Sequence, residues 1–161
     1  MRPAGTCYEY ICVYVDDLLV VMKEPSTFFE NLSKKHGYKL KGVGDPEYHL
    51  GGNFGRDSDG TLFWGAKTYI AKSLKAYEHI FGSLPSKRTS CLLDKDDHPE
   101  LDDTSLLEEP DIKIYQSFIG SLQWAITLGR FDISVSVMVM SRFRVAPRQG
   151  HMERLKRILD T

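Results

Sequence analysis

Two adjacent carboxylates, Asp16 and Asp17, interrupt an otherwise apolar stretch. Tyr10-Ile11-Cys12-Val13 leads into Tyr14-Val15-Asp16-Asp17, and Leu18-Leu19-Val20-Val21-Met22 follows. The flanking runs have the β-branched and aromatic character of strands. A buried, unpaired carboxylate is strongly destabilising, so this pair must be solvated at a turn or must face a cation. A plain hairpin turn is the ordinary reading. Tight two-residue turns, however, favour Asn-Gly or Asp-Gly, because both central residues take positive φ. Asp-Asp lacks the freedom that Gly brings to such a turn. Both readings, a solvated turn and a cation-facing site, stay open on the residues alone.

The pattern around this hairpin is of the α+β class. Residues 8–15 and 18–22 read as its two strands. Pro25-Ser26 opens a helix that carries Phe28, Phe29 and Leu32 on one face and stops at Gly37. Residues 38–41 read as a short strand. Residues 48–54 and 61–64 read as a second hairpin, turned by Asp57-Ser58-Asp59-Gly60. Over residues 67–81, Ile70, Leu74, Tyr77 and Phe81 recur at helical spacing, and Gly82 ends the run. Pro110-Asp111 starts another helix, with Tyr115, Phe118, Ile119, Leu122, Ala125 and Ile126 on one face. Trp124 beside that face reads as core. Asp132 reads as a cap for a helix to about residue 143, although Ile133, Val135, Val137 and Val139 alternate as a strand would. Pro147 breaks that segment, and a last helix begins near His151.

Charge is distributed unevenly. Residues 94–111 hold nine acids and one base, with Pro99 and Pro110, and read as a solvated linker. Residues 142–157 hold six Lys and Arg and one acid. That basic run could meet phosphates or form a solvated helix face. The net charge of −1 gives no ground for nucleic-acid binding. No apolar run is long enough to span a membrane, and residues 1–5 lack the apolar core of a signal peptide. Cys7, Cys12 and Cys91 form an odd set without Cys-x-x-Cys spacing, which argues against a disulfide framework or a zinc site. Cys12, within an apolar run, reads as a small core residue.

Set between strands, Tyr14-Val15-Asp16-Asp17 resembles the metal-binding hairpin of reverse transcriptases. Further pieces resemble the copia-type retrotransposon branch, in that family's order. They include Leu40-Lys41-Gly42-Val43-Gly44, Tyr48-His49-Leu50-Gly51, Asp59-Gly60-Thr61-Leu62, Ile119-Gly120-Ser121-Leu122, Gly129-Arg130-Phe131-Asp132-Ile133 and Lys156-Arg157-Ile158-Leu159. The resemblance covers nearly the whole chain. It implies the C-terminal part of a polymerase palm, made of antiparallel hairpins with a helix, followed by a helical thumb and connection region. The implied divisions are residues 1–56 (palm with the primer-holding strand), 57–90 (return strand and first thumb helix), 91–111 (acidic linker) and 112–161 (helical thumb and connection).

The resemblance implies RNA-directed DNA synthesis dependent on two Mg²⁺ ions, which can clamp the attacking and leaving oxygens. Asp16 would be the metal ligand of this hairpin and Asp17 its outer partner. Lys41 would stand near the incoming nucleotide and its pyrophosphate. Tyr14 and Val15 would lie close to substrate and primer terminus. Tyr48, Leu50 and Gly51 would hold the primer end; His49 stands where the family usually carries an aromatic or aliphatic residue, and Gly52 where it carries a bulkier one. Lys67, Lys72 and Lys75 would follow a duplex backbone, in a stripe that Thr68 and His79 continue. The implied partners are an RNA template, a DNA primer or hybrid duplex, a dNTP and other parts of the Pol polyprotein, with no membrane. The implied location is cytoplasmic, in the virus-like particle of the parent element, or nuclear.

The family's site takes a further aspartate from a strand well upstream of this hairpin, and Glu9 is not its match. The 161 residues are therefore expected not to polymerise alone. Two other functions stay open: a non-catalytic nucleic-acid-binding remnant, and a structural or interaction domain with no nucleic-acid role.

Overall fold

A computed structural model describes residues 2–4, 7–85, 93 and 96–160, with 2–4 and 7 by backbone alone. Cys91 and the first part of the expected acidic linker lie outside the described residues. The chain divides into two units, residues 1–47 and 48–161.

The first unit is a three-stranded antiparallel sheet with one helix. Strand β1 (Arg2–Ala4) pairs with β2 (Cys7–Tyr14), and β2 pairs with β3 (Asp17–Val21). Helix α1 (Pro25–His36) starts on Pro, whose fixed φ suits a first helical position. Lys34, Lys35 and His36 fill its last turn, where positive charge meets the negative end of the helix dipole. Gly37 closes it at φ 70°, with the Gly37 and Tyr38 N–H groups donating to Ser33 and Leu32 carbonyls. Residues 38–41 form no strand. Gly37, Gly42 and Gly44 surround them and no described strand offers a ladder, so Tyr38 and Val43 stay exposed. Cys12 is likewise exposed instead of core, on the β2 face that also carries the exposed Tyr10 and Tyr14.

The second unit begins with a meander: β4 (Tyr48–His49), β5 (Gly52–Arg56) and β6 (Leu62–Gly65). The expected single strand over 48–54 is therefore a tight hairpin folded at Leu50-Gly51. The turn after β5 is the one expected: Gly60 takes φ 86°, and Asp59 Oδ1 accepts from the Thr61 N–H at 2.9 Å. Among the described residues, six helices or helical turns follow: α2 (Lys67–Phe81), a 3-10 turn (Pro99–Leu101), α3 (Glu109–Thr127), a second 3-10 turn (Phe131–Ile133), α4 (Ser134–Ser141) and α5 (Gln149–Leu159). Their apolar stripes meet in one core that includes Tyr77, Tyr115, Phe118, Ile119, Val137, Met140 and Leu155. Tyr115 is fully buried, and its hydroxyl donates to the Met140 carbonyl at 2.8 Å. Burial pushes that phenol well above its ordinary range.

The alternation at residues 133–139 is helical in the structure, with Val137 and Met140 buried while Val135 and Met138 face out. Asp132 does not cap α4. Its carboxylate takes a forked pair of bonds from Arg130, at 2.8 to 3.2 Å, and that guanidinium holds it below the usual carboxylate range. Trp124 is 43% exposed and is not core.

The acidic stretch, expected as a solvated linker, is docked over its described part. Arg154 donates to both oxygens of Asp97 at 2.7 to 3.0 Å and also to Asp102. The side chains of Asp97 and Asp102 are only 11% and 5% exposed, which explains why charge complementarity, not solvation, decides their position. Leu106 bridges to Arg148, and the Leu107 N–H donates to the Pro147 carbonyl at 2.9 Å. His151 is buried and stacks on Phe143. Its Nδ1 accepts from the Arg148 N–H at 3.0 Å, so Nε2 carries the proton and donates to the Pro99 carbonyl at 2.9 Å. The basic run is thus partly neutralised from within the chain.

Candidate functional site

The register of the first hairpin fixes where its carboxylates sit. Tyr14 pairs with Asp17, leaving Val15 and Asp16 as a two-residue turn. Val15 has φ 54° and is 87% exposed. A β-branched residue in the left-handed region is strained, and strain of that kind gathers at functional turns. Asp16 therefore sits at the tip, while Asp17 opens β3 on the sheet face that carries Tyr10, Cys12 and Tyr14. Both carboxylates are exposed, and no described residue forms a side-chain hydrogen bond or ion pair with either. Lys41 lies in the loop after α1, next to Gly42 at φ 65°, and is exposed.

These residues fit part of a magnesium site. Mg²⁺ takes near-octahedral oxygen coordination and gives up water reluctantly. Among the described residues, no three His, Cys, Asp or Glu side chains converge as a metal site. Asp16 and Asp17 alone leave the shell incomplete, and no reaction step follows from them within this chain.

In the second unit, Tyr48 is exposed while His49 and Leu50 are half-buried. Leu50 and Gly51 both take positive φ, 49° and 87°. The Nε2 atom of His49 is buried with no hydrogen-bond partner among the described residues. Gly52, where the family resemblance leads one to expect bulk, lies under the indole of Trp64: a Cβ there would come within 1.9 Å of Trp64 Nε1. Gly55 makes the same room for the ring of Phe63, at 2.3 Å. Two glycines and two cross-strand aromatics thus replace one another's bulk.

Helix α2 is seated on this meander. The Thr68 N–H, free at the start of a helix, donates to Asn53 Oδ1 at 2.8 Å, and the Tyr69 hydroxyl donates to the Ser121 carbonyl at 3.1 Å. Asn53 did not stand out in the sequence; an Asn on a strand before an uncapped helix was the available signal. Lys72, Lys75 and His79 are exposed on the side of α2 opposite Ile70, Leu74, Tyr77 and Phe81. Lys67 is exposed at the helix start, about a quarter-turn off that stripe. Among the described residues, no helix is long and apolar enough to cross a membrane.

Comparison with known proteins finds likeness to proteins of transposons. Over 153 residues, 93% of its length, it is 35% identical to a candidate transposon Ty5-1 protein of Saccharomyces cerevisiae. Identity is 30% over 158 residues to a retrovirus-related Pol polyprotein from transposon RE1 of Arabidopsis thaliana, and 27% over 164 residues to one from transposon TNT 1-94 of Nicotiana tabacum. The chain spans 47% of the yeast relative and 10% and 11% of the two plant Pol polyproteins, so its likeness is to a segment of them. No family model matches the sequence. No solved structure matches it.

Proposed function

We propose that this chain is the catalytic-hairpin and thumb segment of a copia-type reverse transcriptase, inactive in isolation. The observation that carries the reading is the Tyr14-Val15-Asp16-Asp17 turn. A strained Val15 presents Asp16 at the tip of a hairpin, with both carboxylates exposed and without a side-chain partner among the described residues. Positive φ is what any two-residue hairpin turn requires; what supports a cation-facing role is a β-branched Val15 standing where Gly or Asn is usual, beside two carboxylates at the exposed tip. Asp16 is the proposed magnesium ligand and Asp17 its outer partner. A further carboxylate, supplied by another part of the parent polyprotein, would complete the shell, and the ions would then stabilise charge on the transferring phosphate. Lys41 is the proposed counter-charge for pyrophosphate. Tyr48, Leu50 and Gly51 are the proposed primer-end contacts. Lys67, Lys72 and Lys75 are the proposed phosphate contacts, which would give affinity without reading bases.

The test is Mg²⁺-dependent primer extension on an RNA template. Three samples are compared: the chain alone, the chain with an upstream palm-and-fingers fragment of a Pol polyprotein, and that mixture with Asp16→Asn. Extension only in the intact mixture, lost with Asp16→Asn, is the expected result. Extension by the chain alone, or by the Asp16→Asn mixture, would refute the reading.

A further inference from the structure

Trp124 is anomalous for its place. It lies on α3, whose neighbouring turns build the core, yet its indole stays 43% exposed. A large aromatic so placed contributes little to core burial. What it does touch is specific. A Cβ built on Gly51 would meet Trp124 Nε1 at 3.0 Å and Leu128 Cδ1 at 3.3 Å. The indole edge therefore lies against the backbone of the β4–β5 turn at van der Waals range. Leu128, 2% exposed, holds the same turn from beside it.

That turn needs holding. Leu50 at φ 49° sits in a region that a residue with a Cβ rarely adopts, and Gly51 follows at φ 87°. His49 Nε2 is buried there without a partner among the described residues. A strained turn with an unsatisfied polar atom persists only where its surroundings over-determine it. Gly51 suits the turn twice: it takes φ 87°, and a Cβ there would crowd the Trp124 edge at 3.0 Å.

We propose that Trp124 is a positioning residue: its indole sets the height of the Leu50-Gly51 turn on α3, and through it the seat for a primer 3′ end. This rests on the reading of the turn as a primer-end contact. Helix α3 and the turn would move as one body, coupled by a contact that involves little of the core.

The test is competition binding by the full chain, at low salt, to two DNA–RNA hybrids of equal length, one with a recessed primer 3′ end and one blunt. The wild-type chain is expected to prefer the recessed end. Trp124→Leu should bring the recessed-to-blunt affinity ratio to one while leaving blunt-end affinity and the thermal midpoint unchanged. Trp124→Phe, which keeps an aromatic edge, should restore part of the ratio. A wild-type ratio of one would overturn the primer-end reading itself. A ratio above one that Trp124→Leu leaves intact would overturn only the role of Trp124. Equal loss of affinity for both hybrids, or a lowered midpoint, would make Trp124 a merely structural residue and would also overturn it.

Discussion

Arg154→Met gives the sharpest test of how the acidic stretch is held. In the folded chain the Arg154 side chain is 19% exposed, and its guanidinium bonds Asp97 through Nε and Nη2 and Asp102 through Nη1. Methionine keeps much of the apolar volume but removes the charge and every donor. Two carboxylates, 11% and 5% exposed, are then left without their counter-ion. Breaking one side of a buried pair costs about 3–5 kcal/mol; the residual exposure here places the cost near the lower end, about 3 kcal/mol. With a urea slope of about 2 kcal/mol/M, the unfolding midpoint should fall by about 1.5 M. The cost should also depend on pH. Hydrogen bonds from Arg154 hold the Asp97 carboxyl below its ordinary 3.8. At Asp102, burial pushes upward, but hydrogen bonds from Thr104 and Arg154 outweigh it. Carboxyls depressed in the folded state stabilise it above their unfolded pKa, and that stability is lost as pH falls through the folded values. The gap between wild type and Arg154→Met should therefore be full at pH 7 and narrow as pH drops below about 4. Urea titration followed by helical circular dichroism at both pH values reads it. A cost under about 1 kcal/mol at pH 7, typical of exposed pairs, or a gap that does not narrow in acid, would refute the reasoning.

Other expectations follow from close approaches and strain. Gly52→Ala should destabilise by about 1–3 kcal/mol, the usual cost of overpacking, because its Cβ would meet the Trp64 ring at 1.9 Å. The loss should largely vanish in a Trp64→Ala background, and an equal loss there would show that the indole is not the obstacle. Val15→Gly removes about 1–3 kcal/mol of backbone strain against an added chain entropy of about 0.5–1 kcal/mol. Protection of the Cys12 and Leu19 amides, paired across β2 and β3, should rise in hydrogen exchange; a fall would show that Val15 is not strained. In the wild-type chain, amides of β2 and β3 should exchange orders of magnitude faster than those of α3 and α5, since the first unit has almost no buried apolar surface.

Much of the helical part was legible because its periodicity and its stops agree. Ile70, Leu74, Tyr77 and Phe81 share the inward side of α2, and Gly37 and Gly82 end their helices in left-handed geometry. What was not legible depended on partners distant in sequence. The acids at 97 and 102 look solvated until Arg154 is brought to them, and Gly150 shows the fit: a Cβ there would fall 1.9 Å from Asp102 Oδ2. The fold at Leu50-Gly51 was missed because residues 48–54 carry strand-like character, while Leu does not advertise positive φ. At the candidate site, the adjacent acids of the hairpin were legible as a motif. That Val15, not Asp16 or Asp17, bears the left-handed φ was not.

The distribution of burial bears on what the first unit is for. Among the described residues of the second unit, fourteen hydrophobic side chains besides prolines are buried. Among the described residues of the first, no apolar side chain is buried, and Glu9 is the one buried residue. Yet β2 is apolar on both faces, with Tyr10 and Tyr14 on one and Ile11 and Val13 on the other. A strand at a solvated surface alternates apolar and polar residues; one that is apolar on both sides is written for cover on both sides. Helix α1, twelve residues with no buried side chain, does not supply it. Exposed apolar area of this kind marks a surface meant for contact. The tip of the same hairpin carries the opposite chemistry, two carboxylates and a strained turn. On the proposed function, this contrast is what the hairpin needs: a body that docks into the rest of a polymerase palm, and a tip that faces magnesium.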